Sequence, residues 1–168
     1  MSLRFDELSP REFEEVCLAL LRAEGHTETR HVGAAGKDFG WDLRTRDPEG
    51  RICCVQCKRK PTVGPPEAVR ELNKAWKHRE QRPFDVWMLM ASADLSAITE
   101  DKLAEADADR PFELIGKSDL EGRIQEHPRI RDRFFAGDRA KAQVAYLSAC
   151  RADRDLASTL RGDLQANL

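Results

Sequence analysis

Apolar residues recur at helical spacing through Phe13, Val16, Cys17, Leu20 and Leu21, which predicts an amphipathic helix. Ser9-Pro10-Arg11-Glu12 marks its start: the serine caps, proline fits the first helical position, and Glu12 stands three residues after the cap. Gly25 marks its stop. At about 100° per residue, Glu15 falls opposite the stripe and faces water. Glu14 falls on the stripe's edge, near Leu18 and Leu21. Beyond the helix the pattern changes. Residues 26–32 read as a short strand, 33–36 as a flexible turn, 41–46 as a second strand, 47–50 as a turn and 51–58 as a third strand. The last two strands form a hairpin. Residues 61–66 read as a loop and 67–79 as a helix with Val69, Leu72 and Trp76 inward. The apolar run at 84–92 is a buried strand. A helix over 96–108, a strand over 112–115 ending at Gly116, a helix over 118–126 and a helical turn over 129–135 complete the order. It predicts the α/β class, with a mixed central sheet and helices on both faces.

Length and composition narrow this picture. The chain has 168 residues, about one domain. With 40% hydrophobic and 35% charged residues it has the composition of a folded chain rather than a disordered one. Its longest unbroken apolar run, 86–91, is far short of the ~20 residues of a membrane span. The opening MSLRFDEL has no apolar signal stretch, so a cytoplasmic location without membrane attachment is expected. The five cysteines then read as reduced thiols. Cys54 and Cys57 form a C-x-x-C beside Cys53, but a structural zinc typically takes two such pairs. Cys17 and Cys150 stand alone, and Cys54 and Cys57 point to opposite faces of a strand, so no zinc is expected. Trp76 and Trp87 read as core. Past Gly137 the chain is rich in Ala, Arg and Asp at helical spacing. This divides it into a domain over 1–136 and a helical appendage, or a linker to a further domain of a longer chain, over 137–168.

The net charge of −2 conceals a strong asymmetry. Residues 1–50 carry 7 basic and 11 acidic groups, and residues 83–168 carry 12 and 16. Residues 51–82 carry 9 basic groups and 3 acidic ones. Such a basic island attracts phosphate backbones, although a solvated helix face is its commoner cause.

Asp42, Gln56 and Lys58 carry the candidate chemistry. Strand alternation sets Ile52, Cys54, Gln56 and Lys58 on one face, and Cys53, Val55 and Cys57 on the other. The hairpin turn brings Asp42 near Lys58. A carboxylate, an amide oxygen and an ammonium thus converge, which suits phosphodiester hydrolysis. Mg²⁺ takes oxygen ligands, here Asp42, Gln56 and the backbone carbonyl of Cys57, with Mn²⁺ as a substitute. Lys58 can orient the attacking water, help deprotonate it, or stabilise the transition state. Glu14, from the helix edge, can bind the metal or water beside it. Asp38, before Gly40, reads as a turn former first and a shaper of the metal site second.

From Phe5 to Phe135 the chain resembles the Mrr-like branch of the PD-(D/E)XK nuclease superfamily. REFEEVCLALLRAEGH looks like the family's opening helix, GKDFGWDL its metal-binding turn, CCVQCKRK its glutamine-X-lysine strand, and FELIGKSDLEGRIQEHPRI its closing strand and helix. Gln56 stands where the superfamily usually has an acid; glutamine is common in this branch, and it lowers the site's negative charge. Trp41 precedes the aspartate where a small aliphatic is usual, and reads as core packing. The resemblance implies a restriction-endonuclease-like fold and a metal-dependent DNA endonuclease with a role in restriction or defence. Its catalytic residues would be Asp42, Gln56, Lys58 and the auxiliary Glu14, with Arg59, Lys60, Arg70, Lys74 and Lys77 gripping the DNA backbone. Cutting both strands usually takes two active sites, which leaves a homodimer open. Two other readings stand beside it: a non-cleaving nucleic-acid-binding or interaction module of a larger assembly, and the same chemistry on RNA or branched DNA.

Overall fold

A computed structural model of the chain describes residues 2–32, 41–106 and 109–137. The chain divides into two units, Met1–Ile130 and Arg131–Leu168. The first holds the sheet. Of the second, the described residues are the end of a helix and the two residues after it, and the expected appendage lies outside them. A short 3₁₀ turn at Phe5–Glu7 precedes α1 (Pro10–Ala23). The Ser9 hydroxyl accepts from Glu12 N–H, and the Glu12 carboxylate accepts from Ser9 N–H at 2.7 Å, so both donors at the helix start are satisfied. Gly25 ends the helix with φ of 89°, a backbone conformation that a β-carbon disfavours. The predicted stripe Phe13, Val16, Cys17, Leu20 and Leu21 is fully buried.

Five strands follow in the spatial order β1 (Thr27–His31), β2 (Leu43–Arg46), β3 (Ile52–Lys58), β4 (Val86–Ala91) and β5 (Phe112–Ile115). The first three are antiparallel neighbours, and the last two join in parallel. The sheet is therefore mixed, as predicted. Helix α2 (Pro65–Lys77) connects β3 to β4, α3 (Ala97–Ala106) connects β4 to β5, and α4 (Lys117–Glu126) and α5 (Pro128–Phe135) close the order. Helix α1 packs on β1, β2 and β3. Cys54, Trp87, Leu89 and Ala91 on the opposite face join Ala68, Leu72 and Ala75 of α2 in one core cluster. Every residue of β4 is buried, as a central strand covered on both faces should be.

Two expectations need correction. Helix α2 begins at Pro65 rather than residue 67, because proline is well suited to the first helical turn. Its buried stripe is Ala68, Glu71, Leu72 and Ala75, with Val69 and Trp76 only half-buried. The β2–β3 register also differs: Leu43 pairs with Val55, which sets Asp42 beside Gln56 rather than near Lys58. The turn at Gly33–Gly36 and the residues Asp38 and Cys150 lie outside the described residues.

Candidate functional site

β3 continues past the start of β2, so its last residues have no ladder partner on that side. The Asp42 side chain takes that place. Its Oδ2 accepts from the Cys57 N–H at 2.7 Å and from the Gln56 Nε2 at 2.6 Å. The Asp42 backbone is fixed as well: its N–H donates to the Val55 carbonyl at 2.8 Å, and its carbonyl accepts from Val32 N–H at 2.9 Å. In a strand, the N–H and C=O of one residue point the same way. The Cys57 carbonyl is therefore aimed at the Asp42 side of the strand. Asp42, Gln56 and Cys57 are brought together.

Gln56 is 4% exposed, and its Oε1 has no hydrogen-bond partner among the described residues. An unmet buried carbonyl oxygen costs about 1–3 kcal/mol. Such an oxygen, next to a carboxylate and a backbone carbonyl, is the donor set a hard divalent cation takes. The residues present therefore fit a metal. Gln56→Glu sharpens this point. It replaces the amide donor with a second carboxylate against Asp42, so the cation-free fold should lose about 1–3 kcal/mol, several degrees in Tm. Mg²⁺ should restore that loss with a larger thermal shift than in the wild type. Equal Mg²⁺ shifts in both proteins would place the cation elsewhere.

Lys58 shares the Gln56 face, and the sequence reading missed what meets it there. Glu71, on the buried stripe of α2, accepts from Lys58 Nζ at 3.1 Å. The Glu71 and Lys58 side chains are only 10% and 18% exposed, respectively. Arg70 approaches the same carboxylate at 3.7 Å. The available signal was an acid at 71 in step with Ala68, Leu72 and Ala75, three and four residues apart.

Glu14 lies in a separate knot at the start of α1. Its Oε2 is 3.2 Å from Arg11 and 3.3 Å from His31 Nδ1. Burial, then the Arg11 charge, holds His31 below its usual range, so the ring is neutral near pH 7. Glu14 and Asp42 both help to raise the Cys57 thiol, after its hydrogen bond to Cys17 and its burial. Burial also pushes Cys53 up to about 12 and raises Cys54. These thiols pack as small neutral groups.

Of the predicted backbone-gripping residues, Arg59 and Lys60 follow β3, while Arg70, Lys74 and Lys77 recur at four- and three-residue spacing along α2. Arg59 donates to the Asp6 carbonyl at 3.4 Å, and Lys60 pairs with Glu67 at 2.6 Å. Both line a cavity of about 520 Å³ with Asp6, Asp94 and Lys117. The Arg70 side chain is 69% exposed, and Lys74 and Lys77 occupy the last turn of α2. Trp41 is buried against Phe84 at 5.9 Å, in the core role expected of it. Trp87 is likewise fully buried.

No helix among the described residues is long and apolar enough to cross a membrane. No curated protein matches the chain. Residues 5–123 match the Mrr_cat family model, described as a restriction endonuclease. That span covers more than half of the chain and contains Asp42, Gln56, Lys58 and Glu71. The protein belongs to the Mrr_cat restriction endonuclease family.

Proposed function

We propose that this nuclease-family chain is a Mg²⁺-dependent DNA endonuclease that acts in the cytoplasm in restriction or defence, with its nuclease domain within residues 1–136. The observation that carries this reading is the buried Gln56 Oε1, without a partner among the described residues, beside the Asp42 carboxylate. Asp42, Gln56 and the Cys57 carbonyl would hold the cation. When bound, the cation supplies Lewis acidity, which lowers the pKa of water and offsets charge building on the phosphate. Asp42 positions the ligand set, because it fixes both the Gln56 amide and the Cys57 backbone. Lys58, steadied by Glu71, is the donor to the phosphate oxygens as charge develops there. Glu14 supports the site from α1. Arg59, Lys60, Arg70, Lys74 and Lys77 would add contacts that position the backbone without reading sequence.

Supercoiled plasmid incubated with the full chain tests the reading. Nicked and linear products should appear with Mg²⁺ or Mn²⁺ and vanish with EDTA. Salt-dependent DNA binding without metal-dependent cutting would instead identify a non-cleaving binding module. Preferential cutting of RNA or of a branched junction would keep the chemistry and change the substrate.

A further inference from the structure

A second basic surface, which takes only Arg82 from the basic island, flanks Asp42. A cavity of about 460 Å³ is lined by Arg30, His31, Trp41, Arg44 and Arg82, with Val32 and Pro83 completing the rim. No acid is among the described residues that line it. Its placement follows from the sheet. Arg44 pairs with Cys54 in register, so it leaves the same face as Gln56 and Lys58. Arg30 pairs with Arg44 across the β1–β2 ladder and stands on that face too. Arg82 comes from the chain between α2 and β4, its guanidinium 6.0 Å from the Trp41 ring. Trp41 is 4% exposed and part of the core, so this floor is rigid. One carboxylate, Glu28, is shared by Arg44 and Arg46 and braces them from beside the cavity. Two residues along a strand span about 7 Å, so the arginine cleft opens one step from Asp42.

We infer that this cleft holds the phosphodiester backbone of the cut DNA strand on the β1–β2 side of the active site, with Arg30, Arg44 and Arg82 as phosphate ligands. The inference rests on the nuclease reading and adds a surface to it. Guanidinium forks match phosphate oxygens, and each phosphate contact releases counterions. The test is anisotropy of a labelled DNA duplex with the full chain in EDTA, across a NaCl series, beside the plasmid assay with Mg²⁺. Arg30→Ala/Arg82→Ala should make the slope of log K against log salt shallower by roughly 2. Arg30→Lys/Arg82→Lys, which keeps both charges, should retain the wild-type slope. An unchanged slope in the alanine protein overturns the cleft, as does an equal loss in the lysine protein. If cutting persists while the slope is unchanged, the cleft fails alone. If the slope falls but the wild type never cuts, the cleft stands and the endonuclease reading fails.

Discussion

Lys58→Ala is expected to slow metal-dependent plasmid cutting by about 10²–10³-fold, the loss seen when one donor to developing transition-state charge is removed. The difficulty is its partner. Glu71 is buried on α2 and hydrogen-bonds Lys58, so the single substitution leaves a buried carboxylate facing Arg70 at 3.7 Å and without its hydrogen bond from Lys58. Breaking a buried pair from one side costs about 3 kcal/mol or more. A drop in activity could then report unfolding. Lys58→Met/Glu71→Leu separates the two effects, because replacing both members with apolar groups of similar volume is often neutral or stabilising. The double variant should regain the wild-type Tm and remain inactive. Wild-type cutting by the double variant would remove Lys58 from the chemistry. Recovery of both Tm and activity would make the pair purely structural.

That pair also marks where the sequence stopped being readable. Helix α1 is legible because its cues are local: Ser9, Pro10, Glu12 and Gly25 lie within one helix length, and each acts on the nearest turn. β3 is legible by alternation, which correctly separates Cys57, turned toward Cys17, from Lys58, turned toward α2. Glu71 is not, because the meaning of an acid on a helix depends on what the helix packs against. The choice of Val69, Leu72 and Trp76 as the inner face rotated α2 away from its buried stripe. Register was equally out of reach. A turn at 47–50 admits several pairings, and only the ladder from Leu43–Val55 to Arg46–Ile52 decides that Asp42 meets Gln56.

Charge counted along the chain was misleading for a related reason. Part of the basic island is paired by the fold: Lys58 with Glu71 and Lys60 with Glu67 within it, and Arg51 at 2.7 Å with Asp47 from outside it. Arg30 and Arg44 come from the acidic first third of the sequence, yet they share a cavity with Arg82. A segment's net charge does not see partners brought in by long-range strand pairing. The potential that a DNA backbone meets is set by the residues sharing a surface.

Asp42→Asn should abolish cutting, by about 10³-fold or more, while leaving the cation-free fold near wild-type stability. The substitution is nearly isosteric, and the hydrogen bonds can be rebuilt. The carbonyl oxygen of the new side chain can still accept from the Cys57 N–H, which lies 2.7 Å from Asp42 Oδ2. The same oxygen stands where Asp42 Oδ2 lies 2.6 Å from Gln56 Nε2, so it accepts from that amide too, and the new amide nitrogen takes the place of Oδ1. The variant thus loses the site's carboxylate charge and exchanges one of its oxygens for an N–H donor, while the β2–β3 junction stays closed. Thermal unfolding should show a Tm in EDTA within a few degrees of wild type and no rise with Mg²⁺, whereas the wild type should rise by RT ln(1 + [Mg²⁺]/Kd) in stability. A Mg²⁺ shift that survives Asp42→Asn would move the cation away from β2–β3. A large fall in Tm in EDTA would make Asp42 chiefly a brace for the end of β3.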